Sequence, residues 1–164
     1  MPDPASSVTI RPCVESDAAT IADLVRQLAV YERLEAFAVA TPDDFRLHLF
    51  GPHPAAEAIV AELAGEAVGF ALFFPTFSTF RGRPGMFLED VFVRPEYRGR
   101  GIGKALLASV ARCAVERQCG RLEWSVLDWN APAIAFYKAA GARPLDDWTI
   151  FRVDDEALRR LTSS

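Results

Sequence analysis

The 164-residue chain has few residues of the kinds that cross-link a protein or bind metals: three cysteines and two histidines. The cysteines, Cys13, Cys113 and Cys119, are odd in number, and no Cys-x-x-Cys pair or Cys/His cluster accompanies them. A disulfide framework and a zinc site are therefore not expected. We expect no metal, and free thiols are typical of a reducing, cytoplasmic location.

Long hydrophobic runs and an excess of positive charge are also missing. No apolar run approaches the roughly 20 residues that span a bilayer, so no membrane partner is expected. The opening segment MPDPASS lacks the basic region and the apolar region that a secretory signal needs. We expect residues 1–6 to be a flexible tail. The formal net charge of −4 argues against general nucleic-acid binding, for which a broadly basic face is needed.

The hydrophobic pattern predicts one α/β domain over residues 1–164, because no linker-like stretch or internal repeat interrupts it. Helices are expected at 16–34, 41–50, 101–118 and 130–141, with a final helical turn after Asp154. Strands are expected at 7–12, 58–63, 67–74, 85–93, 121–127 and 149–153. This order predicts a mixed sheet, mostly antiparallel early and with strand–helix–strand crossovers late, and with helices on its faces.

The segment RPEYRGRGIGKALL (94–107) places four basic residues and three glycines between a strand and a helix. The first amides of a helix point outward without partners, and the helix dipole adds positive charge there. Glycines let phosphate oxygens approach such amides closely, so the segment is typical of a phosphate-binding loop. It is not a Walker loop, because Arg98 and Ala105 stand where Gly and Ser or Thr are needed, and it lacks G-x-G-x-x-G.

The string R-x-x-x-R-G-x-G-I-G-x-x-L-L, after the strand LEDVFV, resembles the acetyl-CoA pyrophosphate loop of the Gcn5-related N-acetyltransferase (GNAT) superfamily. LAVYERLE and DWNAPAIAFYKAAGA are similar to blocks of diamine (spermidine/spermine) and thialysine acetyltransferases. The resemblance implies a mostly antiparallel sheet of six to seven strands and acetyl-CoA as cofactor. It also implies a homodimeric enzyme that acetylates a primary amine of a small cation, polyamine or lysine-like.

The chemistry requires a base, because an alkylammonium with a pKa of about 10.4 is almost fully protonated at neutral pH. The resemblance places the water-linked base at Glu89, although Glu89 or Asp90 could also simply form the polar face of a half-buried strand. It places the acid for the leaving thiolate at Tyr137, two helical turns after Asn130; a lone Tyr on an amphipathic helix is otherwise usually core. The cofactor is expected to contact Val91, Phe92, Val93, Arg98, Gly99, Arg100, Gly101, Ile102, Gly103, Lys104, Asn130, Pro132, Ala133 and Tyr137.

The substrate side is expected to include Glu32, Glu89, Glu123, Trp124 and Asp146; Trp129 and Trp148 are also expected to be core or pocket wall. The segment TFSTFRGRPG (76–85) departs from the diamine enzymes, which have an acidic residue and a Trp about where Ser78, Thr79 and Phe80 stand. Arg81 and Arg83 add positive charge there, which favours a smaller, lysine-like amine. Acetylation of another amine (amino acid, drug or protein) and a non-catalytic acyl-CoA-binding sensor remain the alternatives.

Overall fold

The computed structural model describes residues 7–163, so the predicted tail at residues 1–6 lies outside the described residues. In chain order the elements are β1 (Thr9–Pro12), α1 (Ala18–Glu32), α2 (Pro42–Phe50), β2 (Glu57–Leu63), β3 (Glu66–Ser78), β4 (Arg83–Val93), α3 (Ile102–Glu116), β5 (Leu122–Glu123), α4 (Ala131–Ala139) and α5 (Asp155–Leu161). They divide into two compact units, one ending at Ser125 and the other beginning at Val126.

The first unit contains a sheet in the order β1-β2-β3-β4-β5, with antiparallel pairing as far as β4 and parallel pairing between β4 and β5. The predicted hairpin between β2 and β3 is present. Ala64 (φ 51°) and Gly65 (φ 82°) are its two loop residues, and their left-handed backbone suits a two-residue hairpin turn. The mixed α/β class predicted from the sequence is therefore confirmed.

The sheet is covered on both faces by helices whose apolar stripes were visible in the sequence. The α1 stripe packs on one face, in a cluster formed by Ile21, Leu24, Leu28, Val60, Phe70 and Phe92. Successive strand residues point to opposite faces, and Ile59 accordingly shares a cleft with Ser109 and Cys113 of α3 on the other face. The α3 residues Ile102, Leu106 and Val110 are buried, as their spacing predicts.

The described residues form five strands, fewer than the six to seven expected. The strand predicted at 121–127 is reduced to Leu122–Glu123, which pairs with Met86 and Phe87 only. Farther along β4, Leu72 of β3 pairs with Asp90 and Phe73 pairs with Leu88, so Glu89 is an extra residue in a β-bulge. A bulge bends its strand, and beyond Phe87 the outer edge of β4 has no strand partner among the described residues.

The second unit contains α4 and α5. The predicted helix at 130–141 is confirmed, since the Asn130 side chain caps α4 by accepting a hydrogen bond from the Ala133 amide at 3.3 Å. The strand predicted at 149–153 is wrong: this stretch has no strand structure. Its β-branched and aromatic residues favour extended backbone, but a strand also needs a partner, and none pairs with it in the described chain.

Candidate functional site

The loop between β4 and α3 has the backbone that its glycines predict. Gly99 and Gly101 adopt φ values of 75° and 79°, in the left-handed region that other residues rarely enter. A Cβ atom built at either glycine would meet nothing within 4 Å. The glycines therefore permit the turn itself, and the space in front of them is open.

The backbone amides of this loop leave a row of donors unused by the protein. The Arg98 amide donates to the Pro95 carbonyl at 3.2 Å, and the Ala105 amide donates to Gly101 at 3.0 Å as the first bond of α3. Between them, the amides of residues 99–104 have no acceptor in the described part of the chain. Six free donors at the start of a fifteen-residue helix form an arrangement suited to a diphosphate.

Two of the four basic residues of the loop are engaged by the protein. Arg94 pairs with Glu66 at the β2–β3 turn and lies 3.8 Å from Asp23 of α1. The Tyr97 hydroxyl also donates to Glu66, at 3.2 Å. The Arg98 guanidinium donates from Nε to the Val93 carbonyl at 2.9 Å.

The other two basic residues lie closer to the open amides in the sequence. Arg100 is exposed, and its guanidinium stacks 5.7 Å from the Tyr97 ring centroid, within the same loop. Lys104, in the first turn of α3, is also exposed. Arg98 is exposed as well, but only Arg100 and Lys104 stand within the row of open amides.

The free edge of β4 presents two amides in the direction that the resemblance requires. The Arg94 amide donates to Val68 of β3 at 2.9 Å. Because successive amides along a strand point to opposite edges, those of Val93 and Val91 point away from β3. The Val93 carbonyl accepts the Arg98 guanidinium on that same outer side. An extended chain could therefore pair with this edge.

The charges of two carboxyl groups act on a third where β4 faces α1. Asp90 lies two residues before Phe92 on the strand and so shares the face that α1 covers. Burial raises the pKa of Asp90 to about 7, and the charges of Glu89 and Glu32 add to the effect. Burial also raises the pKa of Glu32, at the end of α1. Glu89, in the bulge, is exposed. Such uncompensated acids favour a bound cation.

Asp90 is the functional candidate that sequence reasoning passed over as ordinary strand polarity. The signal was present, because a carboxyl group two residues from a buried Phe occupies a core-facing position. Glu123, another predicted substrate residue, pairs with Arg121 at 2.7 Å, and the neighbouring Trp124 is half-buried.

The β3–β4 hairpin fixes the two arginines that set this chain apart from the diamine enzymes. Arg81 Nη1 donates to the Gly120 carbonyl at 2.6 Å, and Arg83 Nη2 donates to the Gln118 carbonyl at 3.2 Å. Both cations therefore lie at the main chain that follows α3, where the helix dipole favours positive charge. Phe77 and Phe80 of the same hairpin are exposed.

The second unit carries the remaining predicted residues. Asn130, Pro132 and Ala133 form the cap and first turn of α4, and Tyr137 follows two turns later. The Tyr137 ring lies 5.3 Å from that of Phe136, tilted by 58°. Asp146 is exposed. Trp148, 75% exposed, and Trp129, 50% exposed, are not core residues. Trp148 precedes the stretch 149–153, which has no strand partner in the described chain, and Trp129 precedes the Asn130 cap.

Comparison with known proteins agrees with this architecture. The model of the acetyltransferase (GNAT) family matches residues 22–142. Thialysine N-epsilon-acetyltransferase of Bos taurus is 39% identical over 94% of this chain and 96% of its own length. Spermidine/spermine N(1)-acetyltransferase-like protein 1 of Homo sapiens is 30% identical over 91% of this chain and 23% of its own length.

Among solved structures, an integron cassette protein from the mobile metagenome of V. cholerae superposes with a TM-score of 0.81 and 27% identity, covering 96% of this chain and 99% of that one. The chain belongs to the GNAT acetyltransferase family. It is an enzyme of acetyl transfer to an amine, and its family uses acetyl-CoA as the acetyl donor. No helix in the described residues is long and apolar enough to cross a membrane.

Proposed function

We propose that this acetyltransferase moves the acetyl group of acetyl-CoA to the primary amine of a small, lysine-like cation. The observation that carries the proposal is the set of unpaired amides at residues 99–104, next in sequence to the free edge of β4 and its carboxyl groups. A diphosphate would satisfy those amides, and the pantetheine chain would pair with the edge as an added strand does.

We propose the donor contacts in three groups. The amides from Gly99 to Lys104, with the Arg100 and Lys104 side chains, bind the diphosphate. The Val91 and Val93 amides, on either side of Phe92, bind the pantetheine amides, and one of them polarises the thioester carbonyl. We also propose donor contacts for Asn130, Pro132, Ala133 and Tyr137, at the start and in the later turns of α4.

The reaction we propose is direct attack. Glu89 accepts the amine proton through a water, which reduces a deprotonation cost of roughly 4–5 kcal/mol at neutral pH. The amine nitrogen bonds to the thioester carbonyl carbon, the C–S bond breaks, and the Tyr137 hydroxyl protonates the thiolate. The products are the N-acetylated amine and coenzyme A. Asp90, whose raised pKa of about 7 suits a base, is a second candidate for the proton acceptor.

The proposed preference for a small amine is based on the carboxyl groups near β4 and on the arginines of the β3–β4 hairpin. We propose that Glu32, Glu89 and Asp90 attract the ammonium group, with Glu123, Trp124 and Asp146 forming further parts of the substrate side. A long polyamine needs carboxylates along its length, whereas the hairpin supplies Arg81 and Arg83. A thialysine-like amine therefore fits better, in keeping with the 39% identical relative.

The test is a free-thiol release assay with acetyl-CoA and a panel of putrescine, spermidine, spermine, lysine, thialysine and aminoglycosides. We expect thiol release to depend on the amine and to be fastest with thialysine or lysine. Coenzyme A should raise the melting temperature and ATP should not. Coenzyme A binding without any amine-dependent release would indicate the non-catalytic sensor instead.

The choice of base can be tested with a matched pair of variants, Glu89→Gln and Asp90→Asn, each nearly isosteric. If Glu89 is the base, Glu89→Gln lowers kcat by about 10²-fold or more while coenzyme A affinity is retained. Asp90→Asn should then mainly raise KM for the amine. The reverse pattern would assign the base to Asp90.

We also propose that the enzyme is a cytoplasmic homodimer. The three cysteines are free thiols, which supports a reducing compartment. Light scattering coupled to size-exclusion chromatography should give twice the chain mass, and the 18.0 kDa mass of one chain would contradict the dimer.

A further inference from the structure

One arginine of the cofactor loop joins three parts of the first unit. The Arg98 amide bonds to Pro95 within the loop, and its Nε donates to the Val93 carbonyl at the end of β4. Its guanidinium carbon lies 4.6 Å from the ring centroid of Tyr31 in α1 and 5.6 Å from that of Phe92. This placement engages the Arg98 guanidinium with the protein, while the residue as a whole stays exposed.

The ring beneath Arg98 belongs to the last turn of α1. Tyr31 immediately precedes Glu32, and the helix ends there because Arg33 adopts a left-handed φ of 60°. Tyr31 and Glu32 therefore share the backbone of the last turn of α1. The charge of Glu32 acts on Asp90, two residues from the same Phe92 that Arg98 covers.

We propose that Arg98 is a positioning residue that couples the diphosphate loop to the acidic end of α1. Through the contact between Arg98 and Tyr31, the donor-bound loop holds the last turn of α1, and with it Glu32, in place for the incoming ammonium group. The inference rests on the proposed function, since it requires that the loop binds coenzyme A. It assigns Arg98 a role other than the phosphate contact that its position in the motif suggests.

The chemistry of the contact explains why lysine should not replace Arg98. A guanidinium is planar, so it can stack on an aromatic face while its Nε proton reaches a carbonyl in the plane. A lysine ammonium keeps the charge but has neither the plane nor the Nε donor. Arg98→Lys therefore removes the contacts of Arg98 with Tyr31 and with the Val93 carbonyl but keeps a positive charge that attracts phosphate.

The experiment measures thialysine affinity by titration calorimetry, with and without saturating coenzyme A. In the wild type we expect coenzyme A to tighten thialysine binding about 5-fold or more, the usual range of coupling between sites. In Arg98→Lys and in Tyr31→Leu this ratio should fall towards one, whereas Tyr31→Phe, which keeps the ring, should retain it. Arg112→Lys makes the same chemical change at an exposed position of α3 and should leave the ratio unchanged.

The possible outcomes separate this inference from the function on which it rests. If the wild type does not bind coenzyme A, both fail. If both ligands bind but Arg98→Lys keeps the wild-type ratio, only the coupling is refuted. The same holds if coenzyme A does not change thialysine affinity in the wild type. Because Tyr31 also packs against the core, the Tyr31→Leu result is used only if the melting profile shows that this variant is folded. Arg98→Met removes the same contact without changing Tyr31.

Discussion

Replacing Gly101 with alanine should lower both the stability of the fold and the affinity for coenzyme A. Gly101 has a φ of 79°, so a Cβ atom there imposes backbone strain of about 1–2 kcal/mol. Apart from Gly101 and its two chain neighbours, no described residue has an atom within 4 Å of that Cβ position, so no internal clash adds to the strain. For a chain of this size we expect a melting temperature lower by about 2–4 °C for each kcal/mol.

The same Cβ would occupy the space through which a diphosphate reaches the amides. Losing one charge-assisted hydrogen bond costs about 1.5–3 kcal/mol, so coenzyme A affinity should fall roughly 10- to 100-fold. Gly82→Ala is the matched control, since Gly82 has a φ of 57°, open space around its Cβ position and a place in the β3–β4 turn. Isothermal titration of both variants decides the matter: equal affinities would refute the phosphate-binding role of the loop.

Three further predictions concern the side chains of Asp90, Tyr137 and Cys13. The folded-state pKa of Asp90 is raised to about 7 from 3.8, so the stability that the protonated carboxyl group contributes is lost as the pH rises from about 4 to 7. The melting temperature of Asp90→Asn relative to wild type should therefore increase over that pH window and then level off. A difference that stays constant with pH would contradict the burial of this acid. Tyr137→Phe should lower kcat by about 10²-fold or more with coenzyme A affinity within about 2-fold of wild type, and unchanged turnover would remove Tyr137 from the acid role. Burial raises the pKa of the Cys13 thiol to about 12, so iodoacetamide at pH 8 should modify Cys13 far more slowly in native than in urea-unfolded protein by peptide mass spectrometry, and equal rates would show the thiol to be accessible.

Local patterns predicted the elements that depend on local causes. The spacing of Ile102, Leu106 and Val110 fixed the buried face of α3, and Asn130 capped α4 as its residue type favours. The glycines before α3 predicted both the turn and the unpaired amides, because a left-handed backbone and the start of a helix are properties of a few neighbouring residues.

Features set by distant partners could not be predicted in this way. The stretch 149–153, predicted as a strand, has no strand partner among residues 7–163, and the bulge at Glu89 depends on the register between β3 and β4. The engagement of Arg94 by Glu66 joins residues 28 positions apart. The pKa of Asp90 depends on burial beneath α1 and on Glu32, from a segment nearly sixty residues earlier in the sequence. In each case the partner is distant in the sequence, so a local pattern does not identify it.

The four basic residues of the loop after β4 differ in their contacts with the rest of the protein. Arg94 meets counter-charges from Glu66 and Asp23, and the Arg98 guanidinium is spread over an aromatic face. Arg98, Arg100 and Lys104 are all exposed, so the positive potential that an approaching nucleotide experiences lies beyond Arg94, along the row of open amides. A scan that treats all four cations as equivalent would measure loop architecture at two positions and ligand attraction at the other two.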